Sequence, residues 1–525
     1  MAEQGPESQR QTLTTTDVAV VGAGIAGLTA AALLAQAGLR VVVLEAHHQS
    51  GGCAGTFRRG PYIFDVGATQ VAGLEPGGIH SRLFDHFGIP LPEATPLDPA
   101  CSVDLGDGRP PVRLWRDPQR WAQERQSQFP GSHRFWQWCE AIHEANWRFA
   151  GRDPVLPPRN AWDLGQLLRA LGPANLASGL LSGATIADLQ QLSGCGHDQR
   201  LRHFLDLQLR LYSQEPANRT AALYGATVLA MGQAPLGLWH LHGSMQALSQ
   251  ALERALAQAG GQLLLRHRVG QIRRVPGPHD TAAGQRARWQ LNGQAAAGRD
   301  FGIEASDLVV TLPPQSLQGL LGPALPAGYQ RRLQQLEEPS GALVFYGAVE
   351  RSRLPADCPS HLQSAWRDPG SLFVSVSQEG DGRAPTGQAT VIASVFTPAQ
   401  PWFSSELHDP AVLLERKQLA MAGIKAGLEH LLGIAPNTWL HGELATPRAF
   451  AHWCGRPFGY VGGLGQHPSR FGPFGLASRT PLAGLWLCGD SIYPGEGTAG
   501  VSLSALMASR QLLAARGLKL DLASG

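Results

Sequence analysis

The sequence predicts an α/β protein in which three separated segments build one parallel sheet, with an α+β domain interleaved between them. Each of the three segments joins short apolar strands to a helix through glycine-rich turns. The two long stretches between the segments are richer in Trp, Pro and Arg and lack regular alternation of strand and helix. The length of 525 residues is also more than one simple core usually needs.

The three segments are residues 14–70, 241–313 and 476–518, and we assign residues 71–240 and 314–475 to the second domain. Apolar periodicity and turn residues predict strand Val18–Val21, a helix ending at Gln36, strand Val41–Leu44, helix Met245–Ala259, strand Leu263–Leu265, strand Leu308–Val310, strand Leu485–Cys488 and helix Val501–Ala515.

Two stretches are expected to lie outside this framework. Residues 276–299 are rich in turn formers and are expected to be a hairpin loop. Residues 1–13 are polar and are expected to form a disordered tail.

Composition excludes several classes of protein. With 43% apolar and 16% charged residues the chain is typical of an ordered globular protein. The net charge of +2, without a basic run interleaved with aromatic residues, argues against nucleic acid as a partner. The seven cysteines lie singly, without a CxxC pair, so neither a metal site nor a disulfide framework is expected. A reducing compartment, the cytoplasm, fits this pattern.

The charge-free stretch Val18–Leu39 has the composition of a signal peptide or a membrane span. It contains Gly22, Gly24, Gly27 and Gly38, which favour a strand, a turn and a helix instead. The sequence therefore predicts neither a signal peptide nor a transmembrane helix.

The turn in this stretch reads Gly22-Ala23-Gly24-Ile25-Ala26-Gly27 between a predicted strand and a predicted helix. In such a GxGxxG motif Gly22 permits a tight turn, Gly24 lets backbone amides approach a pyrophosphate, and Gly27 lets the helix pack closely on the strand. Glu45 ends the second strand, where an acid accepts hydrogen bonds from adenosine ribose hydroxyls. A Rossmann-type dinucleotide-binding domain follows, with NAD and FAD both open at this point.

Further glycine-rich motifs separate the two cofactors. Residues 50–56 read Ser-Gly-Gly-Cys-Ala-Gly-Thr, and residues 64–69 read Phe-Asp-Val-Gly-Ala-Thr. Downstream, Gly489-Asp490 ends a strand and offers a carboxylate to a ribityl hydroxyl, which only a flavin cofactor has. The helix expected to begin near Val501 directs its positive end at developing negative charge.

With these motifs the chain resembles the FAD-dependent carotenoid desaturases and isomerases, within the wider group that includes amine oxidases and phytoene desaturases. The resemblance extends from Asp17 to Arg510, and residues 51–79 are most similar to the carotenoid 3′,4′-desaturase branch. It implies a non-covalently bound FAD. The contacts that it implies are Gly22, Gly24, Ala26, Gly27, Glu45, Ala46, Gly51, Gly52, Cys53, Gly67, Val269 (whose backbone would face adenine), Gly489, Asp490, Gly500 and Val501. Cys53 departs from the pattern, because many relatives have Arg there.

The resemblance also implies a reaction. Removing two hydrogens across a C–C bond needs a two-electron acceptor, which no side chain provides. A conjugated substrate stabilises its own cation, so no strong protein acid or base is required. We assign no catalytic residue, and the charged Arg152-Asp153-Pro154 turn is expected to be a solvated loop. A cis-trans isomerase using reduced FAD has the same motifs and stays open.

Two charge-free stretches indicate an apolar substrate. Residues 220–252 contain no Lys, Arg, Asp or Glu, so they could line a tunnel or belong to the core. Residues 170–187 are also uncharged and contain proline and glycines. They are expected to be an interfacial segment through which the protein contacts a membrane peripherally and draws in a carotenoid.

The sequence disfavours two other functions. A flavin amine oxidase commonly keeps a lysine near the flavin, but Lys417, Lys425 and Lys519 all have the pattern of surface residues. A non-catalytic lipid-binding escort protein would not need Glu45 and Asp490 together. The electron acceptor is expected to be a quinone or oxygen, because the second glycine-rich motif, residues 459–465, has the pattern of a loop and not of a nicotinamide site.

Overall fold

The structure is a computed structural model that describes residues 14–275, 288–366 and 370–522. The expected tail, residues 1–13, lies outside the described residues, as do residues 276–287 of the expected hairpin loop.

Strands and helices alternate near the two ends of the described chain. In the middle of the chain most helices are grouped in one region and most strands in a sheet. The strands are β1 (Thr14–Val21), β2 (Val41–Leu44), β3 (Thr56–Arg59), β4 (Tyr62–Asp65), β5 (Val71–Ala72), β6 (Ala94–Pro96), β7 (Ser102–Asp104), β8 (Val112–Arg113), β9 (Leu238–Leu241), β10 (Gln262–Leu264), β11 (Arg268–Val275), β12 (Arg288–Gln294), β13 (Asp300–Val310), β14 (Gly341–Glu350), β15 (His361–Ala365), β16 (Ser371–Val376), β17 (Gln388–Thr397), β18 (His441–Ala445) and β19 (Leu485–Leu487). The helices are α1 (Ile25–Gln36), α2 (Ile79–Phe87), α3 (Pro118–Gln128), α4 (His133–Ala150), α5 (Ala161–Ala170), α6 (Pro173–Gly179), α7 (Ile186–Leu192), α8 (Gln199–Ser213), α9 (Ala222–Ala230), α10 (Gln246–Gln258), α11 (Leu317–Leu321), α12 (Ala327–Gln334), α13 (Pro410–Leu432), α14 (Pro447–Cys454) and α15 (Thr498–Ala515).

The first sheet has the order β10-β2-β1-β13-β12-β11, and β19 pairs with β13. Strands from all three predicted segments therefore share one sheet. In its parallel part Val20 pairs with Val43 on one side and with Val309 on the other, and Val309 pairs with Trp486. The predicted α/β fold class with a Rossmann-type sheet is confirmed.

The prediction was wrong for the other end of this sheet, which is antiparallel. β11, β12 and β13 pair as a meander, so residues 288–294 form a strand where a loop was expected. Trp289 and Leu291 alternate into the core and are fully buried. Two buried side chains at period two are enough to hold this strand against β13 despite the turn-forming residues around it.

Helix α1 is buried almost all round, because α10 and α15 cover it on the side away from the sheet. Its residues are mostly Ala and Leu, which suits close packing on every face. The predicted helix end at Gln36 is confirmed. Helix α15 begins at Thr498, earlier than the predicted start at Val501, with Gly497 at its N-cap.

The middle of the chain forms a second sheet of order β18-β14-β17-β16-β15-β7-β8, with α13 packed against β14 and β18. A helical region, α3 to α9, has a separate core rich in Trp and Phe. The boundaries that we drew between the two domains stay a prediction.

A buried network of charges joins the hairpin β3–β4 to the second sheet. Arg383 pairs with Asp65 at 3.0 Å and with Asp381 at 3.1 Å, and His240 Nε2 lies 2.8 Å from Asp381. All four side chains are almost fully buried. Removal of one partner would leave an uncompensated buried charge, so the network fixes the two parts of the chain to each other.

None of the helices in the described part of the chain combines the length and apolar composition that a membrane span needs. In the same ranges, no three His, Cys, Asp or Glu side chains lie together as metal ligands would.

Candidate cofactor site

The carboxyl ends of the parallel strands meet at one edge of the first sheet. Gly22 follows β1, Glu45 follows β2, Thr311 follows β13 and Gly489 follows β19. Short backbone hydrogen bonds connect them: Gly22 N donates to Leu44 O at 2.9 Å, and Thr311 N donates to Val21 O at 3.1 Å. This edge is where ligands bind in open parallel sheets.

The first glycine turn has the geometry that the sequence predicts for it. Gly22 has a φ of +103°, and a Cβ on Gly27 would lie 2.0 Å from Gly22 O, so helix and turn touch through glycine alone. A Cβ on Gly24, in contrast, would meet no atom within 4 Å. Gly24 is the N-cap of α1, so open space lies directly at the positive end of that helix. Ala26, also predicted as a contact, is buried in the first turns of α1.

The second glycine loop lies against the first. Gly51 N donates to Ala23 O at 2.9 Å, and a Cβ on Gly52 would lie 3.5 Å from Gly24 Cα. Cys53 follows in a short 3₁₀ turn, and a Cβ on Gly67 would lie 3.2 Å from its carbonyl oxygen. The structure therefore brings the two loops and Gly67 together around one space.

Glu45 holds this arrangement from the end of β2. Its Oε2 accepts from Ala23 N and its Oε1 accepts from His47 N, both at 2.8 Å. Each carboxylate oxygen has a second lone pair for a ribose hydroxyl. Ala46, beside Glu45, is half-buried.

The chain entering β11 runs alongside Glu45. Arg266 N donates to His47 O at 2.9 Å, and His267 N donates to Glu45 O at 2.8 Å. Val269 is the second residue of the strand that follows, partly buried against the first sheet. Its predicted place beside the adenine end of the cofactor stays a prediction.

The third segment closes the other end of the site. Gly489 N donates to Ser504 Oγ of α15 at 3.1 Å, and Asp490 follows it. Because α15 begins at Thr498, Gly500 lies in its first turn, and Val501 N donates to Gly497 O at 3.0 Å. The free amides at this helix start therefore belong to the residues before Val501, and the predicted cofactor contact at Val501 stays a prediction.

Two charged residues at the site were not predicted. Arg456 Nη2 lies 2.8 Å from Asp490 Oδ2. Glu496 accepts from Gly463 N at 3.1 Å and from Gln214 Nε2 at 3.2 Å through Oε2, while its Oε1 is buried without a partner among the described residues. Burial raises the pKa of Glu496 to about 8. Both side chains reach the site from loops. Glu496 lies within the glycine-rich run 495–501 that leads into α15, but no role was predicted for it, and Arg456 has no motif that could have identified it.

The thiol of Cys53 is polarised by its neighbours. A hydrogen bond with the Cys454 thiol and the positive charge of Arg456 lower the pKa of Cys53 to about 7, against the opposing effect of burial. The pKa of Cys454 is raised by the same hydrogen bond and by burial. The structure thus gives Cys53, where the chain departs from many relatives, a charged neighbour in Arg456.

The expectation of a solvated loop for the Arg152-Asp153-Pro154 turn holds for Arg152, which is exposed, and was wrong for the two residues that follow. Asp153 is mostly buried and receives two hydrogen bonds from Arg82, at 3.0 and 2.8 Å. Arg510 of α15 also donates to its carbonyl oxygen. A charged turn can be buried when its partners come from distant parts of the chain, which a local pattern does not reveal.

The lysines in the described part of the chain lie away from the carboxyl ends of the parallel strands in the first sheet. Lys417 and Lys425 are on α13, and the Lys425 ammonium lies 5.5 Å from the Phe345 ring centroid on the second sheet. Both are half-buried and Lys519 is exposed, so all three have contact with solvent, as expected of surface residues.

These residues fit FAD. Open space at Gly24 faces the start of α1, as a pyrophosphate requires. Of the two carboxylates, Glu45 would hold the adenosine ribose and Asp490 would hold the ribityl chain. The buried Nε of Arg456 has no partner among the described residues and can donate to an anion.

The sequence profile of the family described as flavin containing amine oxidoreductase matches residues 25–513. The chain belongs to this family. FAD is therefore its cofactor, and the chain is a flavin-dependent oxidoreductase by family.

Several members of related groups are similar over almost the whole chain. Prolycopene isomerase of Arabidopsis thaliana is 25% identical, over 96% of this chain and 83% of that protein. All-trans-retinol 13,14-reductase of Danio rerio is 24% identical, over 94% and 86%. Phytoene dehydrogenase of Streptomyces griseus is 26% identical, over 95% of both proteins. The resemblance to carotenoid desaturases and isomerases is thus confirmed at the level of the group, without the 3′,4′-desaturase branch.

A solved structure of an oxidase has the same fold. Putrescine oxidase with bound putrescine superposes with a TM-score of 0.62 at 18% identity, over 96% of this chain and 100% of that one. At that identity the likeness concerns the fold.

Proposed function

We propose that this flavoprotein desaturates a C–C bond of a carotenoid, as the 3′,4′-desaturase branch does. The observation that carries the proposal is that three relatives spanning nearly the whole chain are named for reactions on isoprenoid polyenes. When bound, the flavin supplies the two-electron acceptor that such a reaction needs. The chain itself binds the cofactor, orients it between Glu45 and Asp490, and excludes water.

The charge-free stretch 220–252 supports an apolar substrate in part. Leu229 and Leu236 are buried in the core. Val228, Met231 and Leu238 line a small, mostly apolar pocket. Its other walls are formed by the chain just before β7, by the chain just after β8 and by α8. The stretch thus contributes to both the core and a pocket wall.

The other functions find less support. A redox-neutral isomerase uses the same cofactor site and is separated from a desaturase only by its product. An amine oxidase of the lysine-dependent kind is disfavoured, because the three lysines lie on α13 and beyond α15. An escort protein has no physical need for two carboxylates placed at the two ends of a dinucleotide site.

Pigment analysis tests the proposal. The chain is produced in bacterial hosts that accumulate single carotenoids, and the pigments are separated by chromatography. A product with one more double bond supports desaturation, and an isomer of unchanged mass supports isomerisation. Gly24→Val serves as the control that folds without cofactor. Turnover of amines with no change in any carotenoid would contradict the proposal.

A quinone or oxygen is the proposed electron acceptor. The glycine-rich residues 459–465 form a loop that packs on the cofactor site, since a Cβ on Gly463 would lie 2.0 Å from Asp490 O. The motif therefore has a packing role and not the geometry of a nicotinamide site. Anaerobic enzyme reduced by substrate should reoxidise with a quinone. Rapid reoxidation by NADP⁺ and none by quinone would contradict this part.

Peripheral contact with a lipid bilayer is the last part of the proposal. Between residues 161 and 192 five leucines are exposed: Leu164, Leu168, Leu176, Leu180 and Leu192. Leu180 is 88% exposed and Leu176 is 66% exposed. Clustered exposed leucines on short helices are typical of segments that lie in a membrane interface.

A further inference from the structure

Arg456 reaches the cofactor site from the other part of the chain. Helix α14 ends at Cys454, Gly455 turns the chain with a φ of +65°, and Arg456 follows in an extended conformation. Its side chain is only 12% exposed. A local break in the helix thus directs a cation inward.

The guanidinium of Arg456 has donors to spare. Its Nη2 lies 2.8 Å from Asp490 Oδ2 and donates to Gly462 O at 2.6 Å, while its buried Nε has no partner among the described residues. Burial opposes the charge, but Asp490 and Cys53 raise the pKa of Arg456, so it stays a cation. A buried cation with an unused N–H is suited to one more anionic acceptor.

The neighbours of Arg456 indicate which anion this is. Cys53, whose pKa the Arg456 charge lowers, directly follows the Gly51-Gly52 pair, and Gly52 faces Gly24. The two glycine loops, residues 22–27 and 50–56, contain no Lys or Arg. They offer backbone amides and a helix dipole to a pyrophosphate, but no full positive charge.

We propose that Arg456 is the cation that neutralises the pyrophosphate of FAD, from the side that the small Cys53 leaves open. Arg456 would then link the phosphates to the ribityl acceptor Asp490. The inference rests on FAD binding and does not depend on the carotenoid proposal, because its test uses no substrate.

The test measures binding to apoprotein. We expect Arg456→Met to weaken FAD about 10- to 100-fold, as for the loss of a hydrogen bond to a charged group, and Arg456→Lys to weaken it less. Competition by ADP, which has a pyrophosphate but no ribityl chain, should weaken in parallel. Asp490→Asn should weaken FAD and leave ADP unchanged, which separates a phosphate contact from an effect through Asp490.

Cys53→Arg provides a second, more specific test of FAD binding. In the wild-type background a second guanidinium beside Arg456 should weaken FAD by like-charge repulsion, whereas in Arg456→Met it should restore binding. Arg448→Met, on helix α14 and hydrogen-bonded to Leu407 O at 2.6 Å, is the control for disturbance of α14. Folding of each variant is checked by thermal unfolding, and Arg456→Lys and the double variant carry the test if Arg456→Met does not fold. Unchanged ADP competition in Arg456→Met, or no rescue by Cys53→Arg, would overturn the proposal.

Discussion

The carboxylate of Glu45, at the end of β2, accepts a hydrogen bond of 2.8 Å from the backbone N–H of Ala23 in the glycine turn after β1. The acid therefore has a structural task in addition to its predicted contact with ribose. It holds the turn in the shape that exposes Gly24 to the phosphate space.

Glu45→Ala should weaken FAD by about 1 to 3 kcal/mol, the range for losing hydrogen bonds to a charged group. Glu45→Gln keeps one oxygen to accept from Ala23 N but loses the second acceptor, so its effect should be smaller. Release of flavin on dilution, followed by fluorescence, gives both dissociation constants. An unchanged constant in Glu45→Ala would show that Glu45 has no role in binding.

Gly24→Val and Gly27→Val should separate binding from folding. A Cβ on Gly24 meets nothing within 4 Å, so valine there fills the phosphate space and should abolish FAD binding while the apoprotein keeps its melting temperature. A Cβ on Gly27 would lie 2.0 Å from Gly22 O, so valine there should destabilise the fold by about 1 to 3 kcal/mol or more. Thermal unfolding of the two apoproteins makes the comparison. Stoichiometric flavin in Gly24→Val would contradict the assignment of this turn.

The stability of the apoprotein should depend on pH through Glu496. Its pKa is raised from 4.5 to about 8 in the folded state, so folding favours the neutral acid. The contribution of Glu496 to folding stability is complete at pH values below its pKa in the unfolded chain. It is lost as the pH rises through its pKa in the folded protein. Urea unfolding from about pH 5 to about pH 9 should therefore show a steeper decline for the wild type than for Glu496→Gln.

The matched control for Glu496→Gln is Glu429→Gln, at an exposed position on α13. It should leave the pH dependence of the stability as it is in the wild type. Parallel stability curves for wild type and Glu496→Gln would mean that Glu496 is already ionised in the folded protein.

Membrane contact should depend on the leucines of α6 and the turn after it. Replacing both Leu176 and Leu180 by Asp should lower binding to lipid vesicles about tenfold or more, because two apolar side chains no longer enter the interface. The same exchange at Leu414 and Leu419, exposed on α13, is the control and should have little effect. Flotation with vesicles of neutral and anionic phospholipid measures the bound fraction. Equal losses in both pairs would argue against a specific docking surface.

Sequence patterns predicted the cofactor half of the fold well, because its signals are local. The strand Val18–Val21, the glycine turn and the buried helix that ends at Gln36 each follow from a few consecutive residues. The resemblance to carotenoid desaturases and isomerases was likewise predicted from short local motifs.

The features that the sequence did not predict depend on contacts between distant residues. Asp153 is mostly buried because Arg82 and Arg510 reach it, and β12 is a strand because it pairs with β13 and buries Trp289. Arg456 follows a glycine at a helix end, which looks like any exposed turn, and only the folded chain places it beside Asp490. A charged residue in a loop has no periodicity from which its partner could be inferred.

The burial of α1 between α10 and α15 has a consequence for how the protein is made. The helix that starts the cofactor site is synthesised long before one of the two helices that cover it, because α1 begins at Ile25 and α15 begins at Thr498. Until α15 is synthesised, an Ala/Leu-rich surface stays exposed and β13 lacks its neighbour β19. Long-range pairing of this kind is slow to form and leaves nascent chains prone to aggregation. The supply of chaperones, and of FAD to capture the completed site, should therefore limit the yield of active protein.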